Sequence, residues 1–139
     1  MTDHKPPMMA TLKWLGDLRF TGQSGETSIS LDSASKAGPS PMEAVAFGLA
    51  GCMAIDLVHI LARGRHAPAS LDAHLVAHRA SSEPRRFERI ALHFAIEGDA
   101  TADQVERAIA LSRDKYCSVW HSMRNDIELD VTYEIKPAT

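Results

Sequence analysis

The sequence predicts an α+β fold in the order β-β-β-α-β-β-α-β, with mostly antiparallel sheets. Several segments alternate apolar and polar residues as half-buried strands do. Two capping signatures mark helix starts, and one of these helices is apolar on nearly every face. At 139 residues the chain is expected to form one domain, residues 1–139, because a second core would leave each half too small.

The N-terminal third predicts three short strands. Ala10–Leu15 and Leu18–Thr21 flank a Gly-Asp pair typical of a tight hairpin turn. Thr27–Leu31 alternates apolar and polar side chains and forms the third strand. A loop rich in Ser, Ala, Gly and Pro follows over residues 32–39.

The first helix has the clearest start in the sequence. Ser40 supplies a cap, Pro41 occupies the first helical position and Glu43 completes a capping box. We expect the helix to run to about Arg63. Because it is apolar on nearly every face and one small sheet covers only one side, we infer an intimate homodimer.

Two further strands, a second helix and a last strand complete the chain. The second helix begins with a capping box at Thr101 and Gln104 and is expected to reach Tyr116. A short helical turn follows it. The remaining segments are the strands Leu71–Arg79, Ile90–Ile96 and Ile127–Ile135, and the turn Cys117–Arg124.

The net charge, the apolar runs and the cysteine count argue against several classes of protein. A net charge of -3 with scattered basic residues argues against nucleic-acid binding; the densest basic cluster is Arg85, Arg86 and Arg89. No targeting segment is expected from Met1–Pro7, and the apolar run Ala44–Ile55 is shorter than a membrane span, so it predicts a buried helix. Two cysteines are too few for a disulfide scaffold. We expect a cytoplasmic protein with reduced thiols.

Cys52 and Cys117 are the residues most able to carry chemistry. Taken alone, each is better explained as an inert buried thiol. Cys52 lies too deep in its helix for the N-terminal dipole to stabilise a thiolate, so a reactive Cys52 needs a cation from elsewhere. A helix break at Cys117 would place its thiol at the start of a new turn, where N–H groups favour the thiolate.

A metal site is the obvious competitor, but no short ligand pair such as CxxC or a helical HxxxH is present. We therefore expect no metal and no bound cofactor. His59 is expected to be a satisfied buried residue. The other histidines are expected at the surface: His4, His66, His74, His78, His93 and His121.

Two carboxylates on the first helix have alternative interpretations. Glu43 is a possible acid or base, although the capping box explains it better. Asp56 lies one turn beyond Cys52 and requires a partner if it is buried, either an Arg or a backbone N–H.

Several of these segments together resemble one known family, OsmC/Ohr, and within it the uncharacterised OsmC-like branch. The resemblance covers nearly the whole chain, and its most specific parts are the Pro-started helix with Cys52 and a second cysteine about 65 residues later. The segments that carry it are Gly38–Glu43, Leu49–Ala54, Ile109–Ser112 and Lys115–Val119.

The resemblance implies an intertwined homodimer in which antiparallel sheets wrap around two central helices, with active sites at the subunit interface. In the peroxidase members, the cysteine matching Cys52 attacks a hydroperoxide and the one matching Cys117 resolves the sulfenic acid as a disulfide. A dithiol such as a lipoylated protein then reduces that disulfide.

The chain departs from the peroxidase pattern at two places. Met42 stands where those members carry a carboxylate, and Glu43, one position later, points about 100° around the helix. The Gly-Gly-Arg stretch that supplies the stabilising Arg is absent, which leaves Arg19 as the matching residue. Two hypotheses therefore stand: an organic hydroperoxide reductase with Cys52, Cys117, Arg19 and Glu43 at its site, or a non-enzymatic dimer that binds a small apolar ligand.

Overall fold

The computed structural model describes residues 5–139, which form two compact units. The first unit ends at Val45 and the second begins at Ala46. The boundary falls inside the first helix, so the two units share a continuous stretch of backbone. The organisation as a single domain over residues 1–139 stays a prediction.

The first unit is an antiparallel meander of three strands, as predicted. β1 (Thr11–Gly16), β2 (Arg19–Ser24) and β3 (Thr27–Asp32) lie side by side in chain order. Asp17, in the turn between β1 and β2, has a φ of 49°. This left-handed conformation is one that Asp tolerates better than most side chains, and it suits the tight turn predicted there.

The loop after β3 is organised by a buried carboxylate. Asp32 accepts backbone N–H bonds from Ala34 at 2.9 Å, Ala37 at 2.9 Å and Lys36 at 3.3 Å. These bonds, that of Ala37 above all, lower the pKa of Asp32 below its ordinary value. Gly38 passes close to β3, where a Cβ would lie 2.2 Å from the carbonyl oxygen of Ser30, so only glycine fits.

The helix α1 (Pro41–Arg63) has the predicted bounds and buries one stripe of its surface. The stripe repeats every four residues: Leu49, Met53, Leu57 and Leu61. On other faces Phe47 and Ile55 are each 70% exposed, so the expectation of a buried helix holds for one side only within this chain. α1 is long and apolar enough to cross a membrane, a test that core helices of soluble proteins also pass.

The second unit contains a mixed sheet rather than a wholly antiparallel one. β4 (Ser70–Arg79) and β5 (Phe87–Glu97) pair antiparallel, whereas β5 and β6 (Glu128–Lys136) pair parallel. The prediction of antiparallel sheets was therefore wrong for this pair. The alternation of apolar and polar residues predicts which face of a strand is buried, but it does not predict the direction of the strand. The helical connection after β5 returns the chain to the end of the sheet at which β5 began, so β6 runs parallel to β5.

The core of the second unit comes from α1, β5 and the second helix. β5 turns four side chains inward, each no more than 1% exposed: Ile90, Leu92, Phe94 and Ile96. Val105 and Ala108 of the second helix are fully buried as well. These residues join the buried stripe of α1, and together they hold that helix at a fixed rotation about its axis.

The second helical segment ends at Tyr116, as predicted, but its last turn is irregular. α2 (Ala102–Leu111) begins with the predicted capping box at Thr101. The chain then continues as a π turn (Ser112–Tyr116), closed by the Cys117 N–H bonding the Ser112 carbonyl oxygen at 2.7 Å. α3 (Ser118–His121) is the short helical turn expected there. Helical periodicity alone does not distinguish an α-helix from one that widens in its last turn.

Candidate functional site

Cys52 and Cys117, about 65 residues apart in sequence, come together within the second unit. Their Sγ atoms and a carboxylate oxygen of Asp56 all lie within 4.8 Å of one another. Both thiols are free; Cys52 is partly exposed and Cys117 is 0% exposed. The arrangement therefore presents one accessible thiol backed by one enclosed thiol.

Asp56 reaches the two cysteines because it lies one helical turn after Cys52, on the same face of α1. The Ser112 hydroxyl, at the start of the π turn, donates to Asp56 Oδ2 at 2.8 Å. The partner of Asp56 is therefore a serine, not the Arg or backbone N–H that we expected. A side chain hydroxyl can supply the same hydrogen bond without adding a buried cation.

Ser112 is the site residue that the sequence reasoning missed. It is 0% exposed although it is polar. A signal was available, because Val105, Ala108 and Ser112 follow the spacing of one buried helical stripe. A buried serine at such a position needs a partner, and pairing it with Asp56 would have linked the second helix to the first.

The thiol of Cys117 is held in its protonated form. Burial is the main cause and raises its pKa from 9.0 to about 11; a hydrogen bond with Cys52 and the charges of Cys52 and Asp56 act in the same direction. The Trp120 N–H donates to Cys117 Sγ at 3.4 Å, which confirms the predicted helix start and opposes the rise. The helix start favours the thiolate, as expected, but burial outweighs this one hydrogen bond.

Arg19 and Glu43, the other predicted site residues, belong to the first unit. Arg19 lies on β2, as predicted, with Nη2 3.9 Å from Asp17 Oδ2. Glu43 forms the predicted capping box: its carboxylate accepts a hydrogen bond from the Ser40 N–H at 2.9 Å, and its own N–H donates to the Ser40 hydroxyl oxygen at 3.2 Å. The Ser35 hydroxyl also donates to Glu43 and is the largest cause of the lowered pKa of Glu43.

The histidines do not join the site. His59 is exposed, contrary to the expectation of a buried residue, because it lies on the side of α1 away from the buried stripe. His66 lies 3.2 Å from Asp99, and His93 contacts Thr132 at 2.7 Å. Among residues 5–139, His74, His78 and His121 are exposed and also lie outside the site. His4 lies outside the described residues.

Comparison with known proteins places this arrangement in a family. The model of the family described as OsmC-like protein matches residues 33–132. Protein YhfA of Escherichia coli is 37% identical over 134 residues, which cover 94% of this chain and all of that protein.

Two solved structures illustrate the shared fold. A hypothetical protein from Aquifex aeolicus aligns with a TM-score of 0.89 at 23% identity, covering 97% of this chain and all of that one. An organic hydroperoxide resistance protein OsmC from Legionella pneumophila aligns with a TM-score of 0.71 at 13% identity, covering 95% of this chain and 99% of that one.

Proposed function

The chain belongs to the OsmC-like protein family, and from this premise we propose that it is a thiol-dependent hydroperoxide reductase. The observation that carries the proposal is the approach of the two free thiols to within 4.8 Å. A peroxidatic thiol with a second thiol beside it can form a disulfide before further oxidation occurs. The family, the fold and the paired cysteines are all consistent with a redox role.

The proposed reaction has two steps. The Cys52 thiolate attacks one oxygen of the hydroperoxide, an S–O bond forms as the O–O bond breaks, and the departing alkoxide takes a proton to become an alcohol. Cys117 sulfur then attacks Cys52 sulfur, and an S–S bond forms as the S–O bond breaks. The departing hydroxide takes the Cys117 proton and leaves as water. An external dithiol, a lipoylated protein being one, reduces the disulfide and is itself oxidised.

The different surroundings of the two thiols support this division of roles. Cys117 is fully buried and its raised pKa leaves it protonated, so it cannot compete for peroxide in solution. Cys52 is partly exposed and can meet a small substrate. Cys117 reacts only when the Cys52 sulfenic acid is formed next to it, and its proton passes to the hydroxide as that group departs, which is the behaviour of a resolving cysteine.

The surroundings of Cys52 on α1 support an organic rather than a purely inorganic substrate. Phe47 and Ile55 are both large, apolar and exposed in the single chain. We propose that these side chains contribute to a homodimer interface with an apolar substrate channel at its edge, because so much exposed apolar surface is unusual on a monomer. The name of the similar Legionella protein, an organic hydroperoxide resistance protein, agrees with this substrate class. We propose a cytoplasmic location for the dimer.

We propose that Arg19 and Glu43 support peroxide reduction by helping to stabilise the Cys52 thiolate. Glu43→Gln distinguishes a catalytic charge from a cap, since Gln can complete a capping box without a charge. A loss of peroxide reduction in Glu43→Gln and in Arg19→Ala, with unchanged thermal stability, would establish the charged pair. Unchanged rates in both variants would remove these residues from the mechanism.

A non-enzymatic dimer that binds a small apolar ligand is the second candidate. An open cleft of about 640 Å³ in the second unit favours it; apolar side chains that line it include Ile55, Val58 and Leu71. The rate of Cys52 alkylation at pH 6 separates the two candidates. Rapid alkylation supports the reductase, and alkylation no faster than that of a free thiol supports the binding protein.

The deciding experiment is an intact-mass measurement and peptide map after one equivalent of cumene hydroperoxide, under non-reducing conditions. We expect rapid loss of two hydrogens and a Cys52–Cys117 crosslink. Cys52→Ser should abolish the reaction, whereas Cys117→Ser should accumulate the Cys52 sulfenic acid, which only excess hydroperoxide would oxidise further. An unchanged mass, or oxidation no faster than that of a free thiol, would refute the reductase.

A further inference from the structure

We propose that Cys52, Asp56 and Cys117 form a zinc site with three protein ligands and one open position. The three ligand atoms already lie within 4.8 Å of one another. Tetrahedral zinc with Zn–S bonds of about 2.3 Å and Zn–O bonds of about 2.1 Å requires ligand separations of roughly 3.5–3.8 Å. The three ligand atoms therefore need to approach one another by about 1 Å to complete the site, a movement that side-chain rotation can supply.

The charges of the cluster favour a cation. All three groups are acids, and among residues 5–139 no Lys, Arg or His nitrogen lies within 4.0 Å of the Asp56 carboxylate. A dication offsets two of the three negative charges that the carboxylate and both thiolates carry, which leaves a site of net charge minus one. A coordinated thiol is deprotonated outright, so binding one Zn²⁺ releases the proton of the buried Cys117 thiol.

The surrounding hydrogen bonds resemble the outer shell of a metal site. Ser112 donates to Asp56 Oδ2 and thereby fixes the carboxylate, leaving its other oxygen able to bind metal. The Trp120 N–H donates to Cys117 Sγ, a bond that a metal-bound thiolate accepts well. The ligands also lie on ordered elements, since Cys52 and Asp56 share a face of α1 and Cys117 caps α3.

Two thiolates select a soft or borderline ion, so zinc suits this ligand set and magnesium and calcium do not. Cys52 is partly exposed and provides the entry path. A Cys52–Cys117 disulfide cannot ligate zinc, so zinc binding and thiol oxidation exclude each other. The inference uses the same sulfur atoms as the proposed reductase but does not depend on peroxide reduction, because the ion binds the reduced protein.

The test is a titration of anaerobically reduced protein with Co²⁺ as a spectroscopic probe, followed by displacement with Zn²⁺ in competition with a chromogenic chelator. We expect one ion per chain, a thiolate-to-cobalt charge-transfer band and release of the Cys117 proton. Asp56→Asn keeps both thiols and should weaken zinc binding at least tenfold, and Ser112→Ala should weaken it about tenfold or more. Asp72→Asn, which changes an exposed carboxylate on β4, is the matched control and should bind as the unaltered protein does.

Equal affinity in Asp56→Asn and the unaltered protein would overturn the proposal, because two thiols alone would then account for binding. A stoichiometry other than one, or ion binding without proton release, would also overturn it. If Asp56→Asn does not fold by circular dichroism, the proton count and Ser112→Ala decide the matter. Since no peroxide is present, failure here leaves the reductase untouched, and failure of peroxide reduction leaves zinc binding intact.

Discussion

The ionisation of Cys117 can be measured directly, and its raised pKa sets the expected fall in the fraction of thiolate. A rise in the pKa from an ordinary 9.0 to about 11 lowers the thiolate fraction at pH 7 from about 1% to about 0.01%, roughly 100-fold. Because alkylating reagents react with the thiolate, Cys117 should react at least about 100-fold more slowly than a free cysteine. Burial slows the reaction further.

The assay is iodoacetamide labelling of the reduced protein from pH 7 to 11.5, with peptide mapping to follow each cysteine separately. The same protein unfolded in urea is the control and should show Cys117 titrating near 9.0. Cys52→Ala removes one hydrogen bond and one charge, so it should lower the pKa of Cys117 while burial keeps it above 9.0. Asp56→Asn should lower it by less, since Asp56 is the smallest of the named causes.

The same shift has a consequence for stability. A thiol whose pKa is higher in the folded state stabilises the fold below its unfolded pKa, and this contribution is lost as the pH rises from about 9 towards about 11. A midpoint for Cys117 at or below 9.0 in the folded protein would refute the reasoning. It would mean that the Trp120 N–H and the helix start outweigh burial.

Three further outcomes test the packing, the capping and the assembly. Leu57→Ala should lower the free energy of unfolding by about 2–5 kcal/mol in a urea titration, because Leu57 is 0% exposed; a loss below about 1 kcal/mol would contradict its place in the core. Thr101→Ala removes half of the α2 capping box and should cost about 1 kcal/mol in the same assay, and no change would show that the cap contributes nothing. Phe47→Glu should convert the proposed dimer to monomers in light scattering, whereas Glu128→Gln, an exposed change on β6, should not; dimers that persist in Phe47→Glu would exclude Phe47 from the interface.

Local sequence signals predicted the elements well because each element is specified by its own residues. The capping boxes at Ser40 and Thr101 and the alternation along β5 act over a few residues, so the sequence alone locates them. The parallel pairing of β5 and β6 could not be found in this way. Strand direction depends on how the intervening segment crosses the sheet, which alternation does not record.

The residues of the site could be identified from the sequence, but the contacts between them could not, because they join residues far apart in the chain. Cys52 and Cys117 were identified by residue type and family resemblance, but their approach depends on the packing of the π turn and the start of α3 against α1. The role of Ser112 depends on that packing too, since its partner lies 56 residues away in sequence. The raised pKa of Cys117 escaped prediction because burial is a property of the whole fold, whereas the helix start that suggested a thiolate is local.

The π turn sets the direction in which the second thiol points. Cys117 is bonded to the carbonyl five residues back, so the segment carries one residue more than an α-helical turn would use. If the same residues were wound as an ordinary α-helix, every later residue would be rotated by about 100° relative to α1. The chain would keep all its helices and strands, yet the second thiol would face away from the first. In this protein a turn widened by one residue sets the phase between the two halves of the site.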